Sequence, residues 1–321
     1  MRTSRWRLLL ALLVPFVLLV AACGDDKSDD SSGSGSGSGS GTEPAAPDTT
    51  IRIVPQDFAE SVTLSQVYAQ YLESKGFKVE VQDASGFRDI VYPALEDDKA
   101  DLIIDYTGSA ATFLDETGTP SADPQETYTR LEKSIGDKPI QALEYSPAED
   151  KNALVALKSF ADENSLTKIS DLKAIESEIV FGGSAQCLER EDCLLGYQNP
   201  DIYGLSFKDV KTLEYGPPLA AGLKSDDLQV AQYQTTAAEI ESGDFVVLED
   251  DKGMLSADNI VPVIRTDIAE EFGADLTDAI NELSTKLTTE DLIGWNARTD
   301  NDKDDPADVA TEWLQSKNLI D

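Results

Sequence analysis

The chain has 321 residues, 61 of them Asp or Glu and only 26 Lys or Arg, for a net charge of −35. That balance excludes nucleic acid as a partner, because such binding neutralises phosphates with basic side chains. There is no His, which removes the usual general base, the usual zinc ligand and the Ser-His and Cys-His pairs together, so no metal and no cofactor are expected. The acid excess is read first as a solvated surface and second as mild steering of cationic ligands.

The amino-terminal segment has three parts. Arg2, Arg5 and Arg7 precede an apolar run, Leu8 to Val20, broken only by Pro15, and the small Ala21 and Ala22 lead into Cys23. A basic start, a short apolar stretch and a small-residue cleavage site predict a signal peptide over 1–22, too short to remain as a spanning helix. Leu19-Val20-Ala21-Ala22-Cys23 also resembles the bacterial lipobox, in which the Cys is lipidated and becomes the first mature residue. The expectation is a lipoprotein on the extracytoplasmic face of the cell membrane, anchored through Cys23. Residues 23–49 are acidic and then alternate Ser with Gly, which predicts a flexible linker. Cys187 and Cys193 have five residues between them, and in an oxidising compartment they are expected to pair as a disulfide.

From Ile51 onward strands alternate with helices. Ile51–Val54 reads as a strand, and Ser61 caps a helix whose stripe is Leu64, Val67, Tyr68, Tyr71 and Leu72. Gly76 stops that helix, Phe77–Val81 is the next strand, and Phe87, Ile90, Val91, Ala94 and Leu95 mark a second helix before the strand Asp101–Tyr106. This order predicts a parallel sheet with right-handed crossings. A second series of strands follows at Ala153–Leu157, Ile179–Phe181, Val210–Leu213, Leu228–Ala231 and Phe245–Leu248, and the tail from Asp267 is helical. The organisation expected is a first lobe over 50–148, a second over 149–248, and a return to the first over 249–321, with crossings near Ser146–Asp150 and Leu248–Asp251.

Ligands of open α/β sheets bind beyond the carboxyl ends of the strands. There the first strand runs into Pro55-Gln56-Asp57-Phe58 and the third into Tyr106-Thr107-Gly108-Ser109. Ser109 and its backbone neighbours would sit at a helix N-terminus that favours an anion, while Tyr106 offers a ring face to a cation. Asp300, Asp302 and Asp304 imitate the start of a calcium loop, but Asp305 stands where the turn Gly is needed and Thr311 where the bidentate Glu belongs, so they read as a solvated loop. Tyr197, Tyr203 and Tyr215 are read mostly as second-lobe core, with a place in a cleft wall as the other reading.

Several runs carry a resemblance. Gln56 to Ser61, Tyr68 to Glu73, Asp105 to Ser109, Leu248 to Gly253, Pro262 to Arg265, Leu287 to Glu290 and Trp295 to Arg298 together resemble the substrate-binding proteins of ABC transporters that import glycine betaine, choline, carnitine and related osmoprotectants. The resemblance implies an α/β, two-lobed periplasmic-binding-protein fold of type II, with a ligand cleft between lobes joined by a two-crossing hinge. It implies a binding protein and not an enzyme, a monomer that works with ABC permease subunits, and a ligand caged by aromatic rings. Carried over by position, it puts Gln56 and Asp57 in the first ligand loop and Tyr106 as a cage wall with Thr107 and Ser109 beside it. In the second lobe it points to Asn152 in place of a ring, to Arg190 as a carboxylate partner, and to Tyr233, Thr235 and Thr236 near the second crossover. Other readings stay open: a different small molecule (an amino acid or a polyol), or a sensor module on the same fold.

Overall fold

The computed structural model describes residues 48–321. The expected signal peptide, Cys23 and nearly all of the linker lie outside the described residues.

The first run of elements is β1 (Thr50–Ile53), α1 (Ala59–Ser74), β2 (Lys78–Val81), α2 (Arg88–Glu96), β3 (Leu102–Tyr106), α3 (Thr107–Leu114), α4 (Pro124–Ile135) and β4 (Ile140–Ala142). The stripe on α1 is its core face: Leu64, Val67, Tyr68, Tyr71 and Leu72 are all fully buried, and each aliphatic member contributes about 1.5–3 kcal/mol by leaving water. The helix begins two residues before Ser61, which is not its cap. Instead Ser61 Oγ accepts the Gln56 backbone N–H at 3.0 Å and fastens the loop that enters the helix. At the other end Gly76 adopts φ +94°, a conformation glycine alone takes without strain, and its N–H closes onto Glu73 O at 2.9 Å.

The second run is β5 (Asn152–Leu157), α5 (Lys158–Asn164), β6 (Val180–Gly183), α6 (Leu194–Gln198), β7 (Asp209–Thr212), α7 (Pro217–Lys224), β8 (Val230–Gln234) and β9 (Phe245–Leu248). β10 (Ile260–Arg265) and four helices follow: α8 (Thr266–Phe272), α9 (Ala274–Ser284), α10 (Thr289–Asn296) and α11 (Pro306–Ser316). α9 and α11 cover α1, with Tyr68 Oη and Ser284 Oγ 2.8 Å apart and Tyr71 Oη donating to Glu282 at 2.8 Å. Among the described residues no helix is long and apolar enough to cross a membrane.

The strands form two five-stranded sheets, β2-β1-β3-β10-β4 and β7-β6-β8-β5-β9. β1 runs parallel to β2 and β3, and β6 parallel to β7 and β8. The sheets are nevertheless mixed, which corrects the expectation of a parallel sheet: β10 is antiparallel to β3 and β4, and β5 to β8 and β9. The reason lies in the crossings. β5 and β10 are the strands by which the chain enters a lobe from the cleft, so each starts where its neighbour ends: Asn152 pairs with Gln234, and Ile260 with Tyr106. The crossings run side by side, bridged at Glu149–Asn259, with Asp150 N–H donating to Asp258 O and Ile260 N–H to Ala148 O, both at 3.0 Å. The second spans 249–259, longer than Leu248–Asp251. Two short adjacent crossings between compact lobes form a hinge.

Cys187 and Cys193 form the expected disulfide, with Cα atoms 5.3 Å apart and both residues buried. Closing so small a loop is worth about 2 kcal/mol by chain entropy. Urea unfolding of the double variant Cys187→Ala/Cys193→Ala should show a loss of that order, and equal stability would mean the loop is held by packing alone.

Candidate ligand-binding cleft

The site is built at the carboxyl ends of β1 and β3. Asp105, fully buried on β3, accepts from Gln56 Nε2 (3.1 Å), Arg88 Nη2 (2.6 Å), Arg88 Nε (3.1 Å) and Tyr92 Oη (3.0 Å). These bonds anchor the ligand loop and the start of α2 to the sheet. Above them Phe58 stacks on Tyr106 at 6.2 Å and on Phe87 at 6.4 Å, a continuous row of rings. Phe87 is 56% exposed. Facing the row, the second lobe presents Tyr215, 42% exposed and packed on Tyr233 at 5.4 Å. Rings from both lobes therefore line one cavity of about 660 Å³. A wider cavity of about 1140 Å³ adjoins it and shares Phe87, Arg88, Ser109, Asp150, Gln234 and Asp258 with it.

Carboxylates line the floor. Glu60 is buried, accepts from Tyr106 Oη at 2.6 Å, and accepts also from Asn296 at the end of α10. Asn296 donates in addition to Thr236 O of the second lobe at 2.9 Å, so this amide ties the two lobes. Asp258 sits on the N-terminus of α3, accepting from Gly108 N–H (2.8 Å), Ser109 N–H (2.9 Å) and Ser109 Oγ (2.5 Å). Asp150 Oδ1 has no hydrogen-bond partner. Loss of water pushes the Glu60 carboxyl up, Asp150 well up and Asp258 up to about 6. Such groups become ionised when a cation arrives.

Of the residues expected from sequence, Gln56, Tyr106, Ser109 and Thr236 line the first cavity, and Asn152, Arg190 and Ser109 the second. Asn152 and Arg190 are both occupied by Asp192, the former at 3.0 Å. Four expectations require correction. Asp57 is exposed and lines neither cavity, because the chain turns there and its N–H bonds Gly86 O at 2.8 Å. Thr107 is fully buried and serves the hinge, its Oγ1 accepting Asn259 N–H at 3.0 Å. Tyr233 lies beneath Tyr215 with its hydroxyl on Gly216 O at 2.7 Å. Thr235 bonds Lys151 and Glu149 in the other crossing. At the α3 N-terminus, where an anion was expected beside Ser109, the acceptor is Asp258 of the chain itself.

Sequence reasoning missed Phe58, Phe87, Glu60, Asp150, Asp258 and Asn296, and for Tyr215 it held a cleft wall only as the second reading after core. Phe58 and Glu60 lie in the Gln56 to Ser61 run and Asn296 in the Trp295 to Arg298 run, and for the first two their place at the rim was the available signal. Tyr197 and Tyr203 do belong to the second-lobe core.

Residues 49–316 match the family model for the substrate-binding domain of ABC-type glycine betaine transport systems. The chain belongs to this OpuAC family. It is 26% identical over 284 residues to the glycine-betaine-binding protein of Pseudomonas aeruginosa, covering 85% of this chain and 89% of that one. It is 24% identical over 277 residues to the carnitine transport binding protein OpuCC of Listeria monocytogenes, with coverage of 85% and 88%. The same fold occurs in a crystal structure titled as a glycine betaine/carnitine/choline ABC transporter (TM-score 0.78, 22% identity, 84% of this chain and all of that one) and in apo YehZ of Escherichia coli (TM-score 0.74, 22% identity, 85% of this chain and all of that one). An OpuAC-family chain is a solute-binding component of an ABC transport system and not an enzyme. Its fold is the two-lobed, type II periplasmic-binding-protein arrangement.

Proposed function

We propose that this chain is the receptor of an ABC importer and captures a small quaternary ammonium osmoprotectant, such as glycine betaine, choline or carnitine, by lobe closure. It then delivers the ligand to the permease. The main support is the ring row Tyr106–Phe58–Phe87 opposite Tyr215 across a cleft with desolvated carboxylates. A quaternary ammonium has no N–H to donate, so recognition falls to ring faces and nearby negative charge. The names of the relatives point to the same ligand class. In this reading Tyr106, Phe58, Phe87 and Tyr215 form the cage, while Gln56, Ser109, Thr236 and Asn296 hold its polar frame.

A ligand that binds only the folded state raises its apparent stability, by about 2.7 kcal/mol at a hundred times Kd. A thermal-shift screen should therefore respond to quaternary amines and not to polyols or ordinary amino acids; a response confined to the latter would overturn the reading.

The proposal includes an extracytoplasmic, monomeric protein anchored through lipid on Cys23, released from its signal peptide after residue 22. Its lobes are taken as 50–148 with 249–321, and 149–248. Cys23→Ser should move the protein from the membrane fraction to the soluble one. Unchanged retention in the membrane fraction would defeat the anchor.

A further inference from the structure

Glycine betaine and choline share a trimethylammonium head on a methylene and differ at the other end, a carboxylate in one and a hydroxymethyl in the other. A receptor for the first needs an unpaired cationic side chain or free N–H donors near the cage. In this cleft the chain's own carboxylates have taken the best placed of these groups. Asp258 occupies the α3 N-terminus, at 2.8 and 2.9 Å from two backbone N–H groups. Asp105 holds two nitrogens of Arg88, and Asp192 holds Arg190 and Asn152. Asn296 is spent on Glu60 and Thr236. What remains is Lys303, an exposed side chain at the cavity edge, and the uncharged amides of Gln234 and Asn301, so among the described residues Lys303 is the one cation lining this cavity beyond Arg88.

The charges around the cage are lopsided in the same sense. Glu60, Asp150, Glu239, Asp258 and Asp300 line the first cavity against Arg88 and Lys303. A ligand carboxylate placed here meets an excess of acidic groups in a partly dried space, where repulsion between like charges is weakly screened. A ligand hydroxyl meets the opposite situation. Asp150 lines the cavity, and its buried Oδ1, without a hydrogen-bond partner, is the acceptor that a ligand hydroxyl would satisfy.

Resting on the quaternary-ammonium reading above, we infer that the cleft selects trimethylammonium compounds that lack a carboxylate over their zwitterionic counterparts. Asp258 and Asp150 set this choice, the first by occupying the α3 N-terminus and the second by offering an acceptor beside it.

The test is calorimetry of the purified full chain with choline and with glycine betaine, on wild type, Asp258→Asn and Asp150→Asn. Circular dichroism confirms which variants fold, and one folded variant suffices. Choline should bind wild type at least tenfold more tightly than glycine betaine, a difference of about 1.4 kcal/mol. In either folded variant the ratio should shrink at least threefold. Saturation by both ligands with glycine betaine equal or tighter, or a ratio that neither variant alters, overturns the selection and leaves the quaternary-ammonium reading standing. Saturation by neither ligand overturns the selection, and saturation by none of choline, glycine betaine and carnitine overturns that reading as well.

Discussion

Replacing Tyr106 by Ala should weaken binding of the best quaternary ammonium ligand at least thirtyfold. The ring stacks on Phe58 at 6.2 Å and forms the inner end of the aromatic row. Removing one ring from a desolvated cage costs about 2 kcal/mol, which is that factor in Kd. The hydroxyl does a second job, since it donates to the buried Glu60 at 2.6 Å. Tyr106→Phe separates the two roles. It keeps the ring and should keep most of the affinity, but it strips a partner from a buried carboxylate and should lower stability by about 1–3 kcal/mol. Calorimetry and urea unfolding on both variants decide the matter. Wild-type affinity in Tyr106→Ala would sink the cage, and equal losses in both variants would transfer its role to the Glu60 contact.

The second expected result concerns pH. Burial pushes the Asp258 carboxyl up to about 6 from its ordinary 3.8. The folded state therefore holds this proton more tightly than the unfolded chain does, and the stabilisation is complete below pH 3.8 and lost as pH rises through about 6. Two pK units correspond to roughly 3 kcal/mol, an upper figure because the side chain borders a cleft that admits water. Asp258→Asn keeps an acceptor for the Gly108 and Ser109 N–H groups and removes the charge. Between pH 4 and 7 wild type should lose up to about 3 kcal/mol relative to that variant. Glu60 and Asp150 titrate in both proteins, so the difference reports Asp258 together with its coupling to Asp150. Urea unfolding across the range measures it, and a flat difference would return Asp258 to the behaviour of a surface carboxylate.

Much of the fold was legible because it is local. The α1 stripe declares itself at helical spacing, and burying it requires no knowledge of the partner helices. β10 was not legible as a strand. Pro262 interrupts it, and a proline normally argues against a central strand. The fold tolerates it because on the β4 side Pro262 acts through its carbonyl, which accepts the Leu143 N–H at 2.9 Å, a bond that needs no proline N–H. The antiparallel sense of β5 and β10 was hidden for a related reason: it follows from the side on which the chain enters each lobe, which no window of sequence contains.

The site divides along the same line. Tyr106 and Ser109 were readable from the rule that ligands lie beyond strand ends, but Tyr215, 109 residues further on, becomes a cleft wall only after the chain has crossed the hinge. The same holds for Asn296 and Asp258, which reach the cleft from the returning segment. The residue order alone thus determined the alternating α/β pattern, the pairing of two nearby Cys and the first half of the ligand rim, all of which depend on neighbours in sequence. Only the tertiary structure decided that Asp258 is the acceptor at the α3 N-terminus and that three carboxylates are starved of water. Charge and burial at a point are sums over every segment that packs there, and those segments meet only when the lobes are built and joined.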